Sequence, residues 1–247
     1  MTTTDSKAPD APKANSQKVS YIFNFPNVLK KQFDVIIDRD SFEITRTSKQ
    51  ELPEWTSLDY KKCVHCPLKS KDTPRCPIAV NLYDLVNFFS DKVSYEKVSV
   101  VVLTESRNFQ KDTDLQDGIQ SLFGLVMASS GCPHMNFLKP MAFFHLPFSQ
   151  LDEAIGRSIS MYLLHEHYLS LSQPGYEVNF KKLEANYADV NQVNQGIAQR
   201  FQGLKLRDSS KNGLTILDAF ASMLPWEFAE GLKRFDSLFN FKHTHTK

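Results

Sequence analysis

Several things are scarce in this 247-residue chain, and each scarcity excludes something. No stretch reaches 18 consecutive apolar residues, so no segment reads as a membrane-spanning helix. The first 18 residues are Thr, Asp, Ala, Pro and Lys without an apolar core, so no secretory signal is read there and the expected compartment is the cytoplasm. Excess charge is missing too: 29 Lys and Arg face 28 Asp and Glu, and a net charge of +1 gives no electrostatic case for a nucleic-acid binder. Glycine is sparse, at nine residues, and none of the Gly-rich phosphate loops or the nucleophile elbow G-x-S-x-G occurs. The sequence therefore gives no catalytic signature and leans away from an enzyme. Cysteine is limited to four residues, all before position 133.

What remains is a composition suited to a folded core, with 41% hydrophobic residues and 19 phenylalanines. Residues 1–17 are polar and free of aromatics, the composition of a disordered tail, and 240–247 reads as a flexible tail. From residue 18 apolar side chains alternate: Val19, Tyr21, Phe23 and Phe25, then after Pro26-Asn27, Phe33, Val35 and Ile37. That period of two across a turn signal predicts a hairpin, and 41–45 adds a short third strand. Residues 51–60 lack periodicity and lead into an irregular cysteine segment, 61–77.

Past Pro77 the spacing of Ile78, Leu82, Leu85, Val86 and Phe89 predicts a helix of about three turns. The β-branched run at 98–104 pairs with 107–111 as a second hairpin. Thr113 or Asp112 is placed to cap a helix through Leu115, Ile119, Leu122, Phe123 and Val126, stopped at Gly131. Ser149 is expected to cap an amphipathic helix carrying Leu151, Ile155, Ile159, Tyr162 and Leu163. A long helix from Phe180 to Phe201 follows. Two more, 214–224 and 226–239, are expected to be separated from their neighbours by Asn212-Gly213 and Pro225. The fold class is α+β: one compact unit over 18–239, β-rich at 18–60, mixed at 78–148 and helical at 149–239.

The chemistry lies in the cysteines. Cys63 and Cys66 form C-x2-C, Cys76 follows after nine intervening residues, and Cys132 after 55 more. A C-x2-C turn lets two thiolates converge on one metal, as in tetrahedral zinc sites and around iron–sulfur clusters. Cys66, Cys76 and Cys132 each precede a proline, which removes a backbone donor and stiffens the chain leaving the ligand. Buried inert thiols are the plain alternative, while disulfides do not suit a cytoplasmic chain. Zinc is favoured by the knuckle-like pair and iron–sulfur by the Cys-Pro steps. The four cysteines are thus the expected ligands of one site, with structural zinc as cofactor and a cluster as the alternative.

His65 and His134 sit beside these ligands. Either could replace a cysteine as ligand, but four cysteines already complete a closed site, so both histidines are expected to stand behind the ligands or in solvent. His165 and His167 are two residues apart, about 200° around a helix, and cannot chelate from one face. Asp152 and Glu153 suit a helix start, and Glu153 pairs with Arg157 one turn on.

Cys66-Pro67-Leu68, Cys76-Pro77, Ser130-Gly131-Cys132-Pro133, Lys139-Pro140-Met141, His145-Leu146-Pro147-Phe148 and the run from Ile159 to Leu164 together resemble an uncharacterised bacterial family, a domain of unknown function. The likeness extends from Val19 to about Phe239. It implies a bacterial cytoplasmic origin and that the cysteines belong together, but it carries no activity. The expected function is a cytoplasmic metal-binding protein with a four-cysteine site. An iron–sulfur redox or sensor protein, and a helical interaction module with incidental cysteines and an unspecified protein partner, are the alternatives.

Overall fold

The computed structural model describes residues 15–46, 50–173, 175–230 and 232–239. The tails expected at 1–17 and 240–247 lie outside the described residues except for 15–17, and Ser16 and Gln17 already belong to the first strand.

Strands β1 (Ser16–Asn24) and β2 (Lys30–Asp38) form the first hairpin, with Tyr21 opposite Phe33. Helix α1 (Pro77–Phe88) follows the cysteine segment. Strands β3 (Lys97–Leu103) and β4 (Asn108–Asp114) form the second hairpin, and β1 pairs antiparallel with β3 to give the order β2-β1-β3-β4. The apolar strands occupy the centre, while β2 and β4 carry Lys30, Lys31, Lys111 and Asp112 to the edges, where charge deters pairing with another chain. The expected strand at 41–45 shrinks to a single bridge between Ile44 and Ile37.

Helices cover one face of the sheet. Val19, Tyr21, Phe23, Val100 and Val102 are fully buried, and Phe23 meets Phe89 edge to face at 5.1 Å. Helix α2 (Leu115–Ala128) lies across this face, its Gly118 against Phe23 and Val100. After it come the short helix α3 (Lys139–Phe143) and α4 (Leu151–Ser170), then α5 (Phe180–Gln202), α6 (Ser209–Ala229) and the single turn α7 (Asp236–Phe239). A small antiparallel sheet followed by a mainly helical body is the α+β arrangement that the periodicities imply.

Helix ends differ from expectation in three places. Asp114, rather than Thr113 or Asp112, precedes α2, and the Thr113 hydroxyl instead donates to Asp117 at 2.8 Å. Gln150 replaces Ser149 as the cap of α4 because Glu153 reaches back to the Gln150 N–H at 2.8 Å, completing a capping box. Helix α6 begins at Ser209, runs through Gly213 and retains Pro225 inside it, so neither separates helices as expected. The reason at Gly213 is tertiary: a Cβ there would stand 2.8 Å from Ile119 Cγ2, so the glycine marks close packing against α2 rather than a stop.

Candidate metal centre

Three chain segments carry the cysteines, and hydrogen bonds tie these segments together. Cys66 N–H donates to Cys63 O at 3.1 Å, closing the C-x2-C turn. Cys76 N–H donates to Thr56 O at 2.8 Å, while the Arg75 guanidinium binds Pro53 O and Thr56 Oγ1. Asn81 Nδ2 donates to Pro77 O at 2.9 Å and to Ser130 O at 3.3 Å, joining the start of α1 to the segment before Cys132.

The Cys-Pro steps have a shared geometric cause at two of their three occurrences. Cys76 caps α1 and Cys132 caps the 3-10 segment Pro133–Leu138, both with extended backbone and proline at the first helical position. Proline there lacks an N–H that would be unpaired anyway, and it forces the preceding cysteine out of helical conformation. Cys76 therefore sits at the positive end of the 12-residue α1, which favours negative charge on a ligand. Both residues are buried, whereas Cys63 and Cys66 are half-buried.

Burial pushes the Cys63 thiol above its ordinary range, and charge on Cys76 or Cys66 pushes it further, against the Arg200 guanidinium. Burial raises Cys132 to about 12; the His134 backbone N–H opposes this, and charge on Cys76, Cys66 or Cys63 adds to it. Without a bound cation these two side chains are neutral thiols at pH 7, so binding one displaces protons. The spacing, however, is wide. Among the described residues no three cysteine sulfurs lie within 4.8 Å of one another, so the four are not gathered as a closed mononuclear site. With Zn–S at ~2.3 Å, the sulfurs of a zinc tetrahedron stand only ~3.8 Å apart.

The tight cluster is instead His65, His134 and Asp189, whose candidate ligand atoms do fall within 4.8 Å. Its bonds cross-link the site. His134 Nδ1 lies 3.1 Å from Asp189 Oδ2 and its Nε2 3.0 Å from His65 O, while His65 Nε2 is 3.2 Å from Asp189 O. The two rings lie 4.0 Å apart between centroids, their planes tilted by 36°. With both His134 nitrogens directed at oxygens, that ring already serves as a brace between the C-x2-C turn, the Cys132 segment and α5.

Asp189, Gly196 and Arg200 all lie on α5 and were not singled out in the sequence. Asp189 gave no local signal. Arg200 falls in the buried stripe of Val193, Ile197 and Phe201, a charge where the helical period demands an apolar residue. Gly196 is an isolated glycine within a helical pattern, itself a sign of close approach. A Cβ at Gly196 would collide with Cys63 Sγ. Gly196→Ala is accordingly expected to cost ~1–2 kcal/mol net, since overpacking costs ~1–3 kcal/mol and alanine recovers under ~1 kcal/mol of helix propensity. Denaturant titration measures the loss, and Cys63, displaced from its seat, should alkylate faster. Unchanged stability and alkylation would show that the thiol is not seated on α5.

The family described as Domain of unknown function (DUF6901) matches residues 19–240. The chain belongs to this family. The match begins within β1 and takes in all four cysteines, the His65–His134–Asp189 brace and α5, so the whole candidate site lies inside the DUF6901 domain. No curated protein and no solved structure matches the chain. Among the described residues, no helix of this DUF6901 member is long and apolar enough to cross a membrane.

Proposed function

We propose that the protein binds metal through Cys63, Cys66, Cys76 and Cys132, and that the group held is an iron–sulfur cluster rather than a single zinc ion. One observation supports this reading: the four thiols come from segments joined by hydrogen bonds, yet among the described residues no three of their sulfurs lie within 4.8 Å of one another, as the ligands of one small ion would. In a cubane cluster each thiolate binds a different iron, so the sulfurs must stand apart. Zinc would require the same sulfurs to be drawn inward. The surroundings suit the negative charge of a thiolate-ligated cluster, with the α1 N-terminus at Cys76 and the Arg200 guanidinium acting on Cys63. A bound cluster would supply one-electron chemistry, for transfer or for sensing.

Protein purified without oxygen is expected to be brown, with visible absorption and bound iron. Cys132→Ser is expected to lose most of the iron and to melt at lower temperature. Its ligand is the one contributed from outside the 63–76 stretch, and loop-closure cost grows only logarithmically, a few kcal/mol against the ~10 kcal/mol that ligation by a structural metal supplies. Colourless protein holding one zinc would favour the zinc form of the site. Full metal content in Cys132→Ser alongside its loss in Cys63→Ser would move the fourth ligand to His65 or His134.

A second reading, an interaction module with incidental cysteines, draws on a stripe at helical spacing, Leu164 and Tyr168 on α4 and Leu171 just past its end, each more than 60% exposed. Protein that contains neither iron nor zinc when purified without oxygen would favour it.

A further inference from the structure

On the opposite side of α5 from Cys63 lies a second feature. Asn194 and Gly196 are two residues apart, about 200° around the helix, so when Gly196 faces the thiol Asn194 faces away from it. Asn194 borders a pocket of about 170 Å³ between α2, α4, α5 and α6. Its wall is mostly apolar, including Leu125, Met135, Ile155, Val190, Leu217 and Leu224. An apolar cavity of ~150 Å³ takes up a benzene-sized molecule, so this space suits about six to eight non-hydrogen atoms.

The polar groups of the pocket narrow the chemistry. The Arg157 guanidinium is engaged with Met141 O at 3.2 Å and Phe144 O at 2.7 Å. Ser121 Oγ is occupied by Tyr21 and by the Phe148 N–H, and His145 Nε2 by the Tyr21 hydroxyl. Two groups differ: Asn194 is 3% exposed and its Nδ2 has no hydrogen-bond partner, and the Oγ of the half-buried Ser149 on the same wall has none either. A buried donor left unpaired costs ~1–3 kcal/mol, a cost that an acceptor oxygen on a bound molecule removes.

We propose that this pocket binds a small neutral molecule with a compact apolar body and one carbonyl oxygen, the oxygen accepting from Asn194 Nδ2. The apolar wall provides most of the affinity and the amide sets the preference for an acceptor. The proposal does not depend on what the cysteines hold.

The test compares cyclohexanone with methylenecyclohexane, which has the same shape but a CH2 group in place of the oxygen, using ligand-observed NMR on the full chain. The ketone is expected to bind about tenfold tighter to the wild type, a ratio that one hydrogen bond supplies. Asn194→Leu is expected to bind both with less than about a twofold difference. Ala221→Phe, which fills the pocket from α6, is expected to bind neither. If Asn194→Leu does not fold, the wild-type ratio and Ala221→Phe decide the matter. Absence of binding of either compound to the wild type at millimolar concentration, equal affinities in the wild type, or undiminished binding in Ala221→Phe would overturn the proposal.

Discussion

Arg200→Met is expected to lower stability by about 4 kcal/mol, one of the largest single-residue effects in the molecule. Arg200 is 1% exposed, and its guanidinium donates to Trp55 O at 2.7 Å, Ser57 O at 2.7 Å and Leu58 O at 3.0 Å. These three carbonyls belong to the loop that precedes the cysteine segment, which has no regular structure beyond the 3-10 turn Glu54–Thr56. Removing the donors leaves the carbonyls buried and unpaired, at ~1–3 kcal/mol each. Relief from burying a cation offsets part of that sum, leaving about 4 kcal/mol. Lysine retains the charge but not the planar fork, so Arg200→Lys should fall between the two. Urea titration of both variants provides the measurement, and a loss below ~1 kcal/mol for methionine would mean that the loop holds itself. The same substitution removes the positive charge that acts on Cys63, so the loss should be accompanied by a harder-to-ionise thiol there.

Acid is expected to weaken the fold through His145. Burial, then the nearby Arg157 charge, lowers this histidine to about 3 from its ordinary 6.5. Its Nε2 lies 2.6 Å from Tyr21 Oη, which is itself 2.8 Å from Ser121 Oγ. In the tautomer with Nε2 unprotonated, the neutral ring accepts from Tyr21 and Tyr21 from Ser121, while Ser121 accepts from the Phe148 N–H at 3.0 Å. Protonation would turn the accepting nitrogen into a donor and break this chain at its end. The depressed value makes the contribution complete above about pH 6.5, where the unfolded ring is neutral too, and it is lost as pH falls toward the folded value, because only the unfolded chain takes up the proton in that window. Between pH 7 and pH 4 the loss is about 2–3 kcal/mol after allowance for the solvent that reaches the partly exposed ring. Carboxylates with lowered values, Asp34, Glu166 and Asp208, add to acid sensitivity, so the comparison is with His145→Gln, whose side-chain oxygen can still accept from Tyr21. Wild type should lose about 2–3 kcal/mol more than the variant over that range. Parallel pH profiles would remove His145 as the source.

The strands and helices were legible where a single periodicity ran uninterrupted. Val19 to Phe25 and Phe33 to Ile37 alternate because one face of β1 and β2 is buried, and that constraint is local. Gly213 and Pro225 misled because a residue's intrinsic preference yields to packing: Ile119 occupies the space that a side chain at 213 would need. The cysteines were legible as residues with a chemistry, and the two histidines as their neighbours. Asp189 was not, because it meets His134 only once α5 has folded back across the Cys132 segment, 55 residues away in sequence. Arg200 was half legible: its position in an apolar stripe marks it as unusual, but only the loop carbonyls explain it.

The strand order also bears on how the chain reaches this state. Each hairpin closes over a handful of residues, whereas the central pair joins Tyr21 to Val102 across roughly 80 residues that include the cysteine loop and α1. Until that pairing forms, β1 and β3 each offer an open edge, and these are the two most apolar strands of the sheet. The charged strands that guard the finished sheet stand on the wrong side to guard them. Refolding at high concentration therefore sets β1–β3 closure within one chain against strand pairing between chains, and yield should fall with concentration even though the native edges are protected.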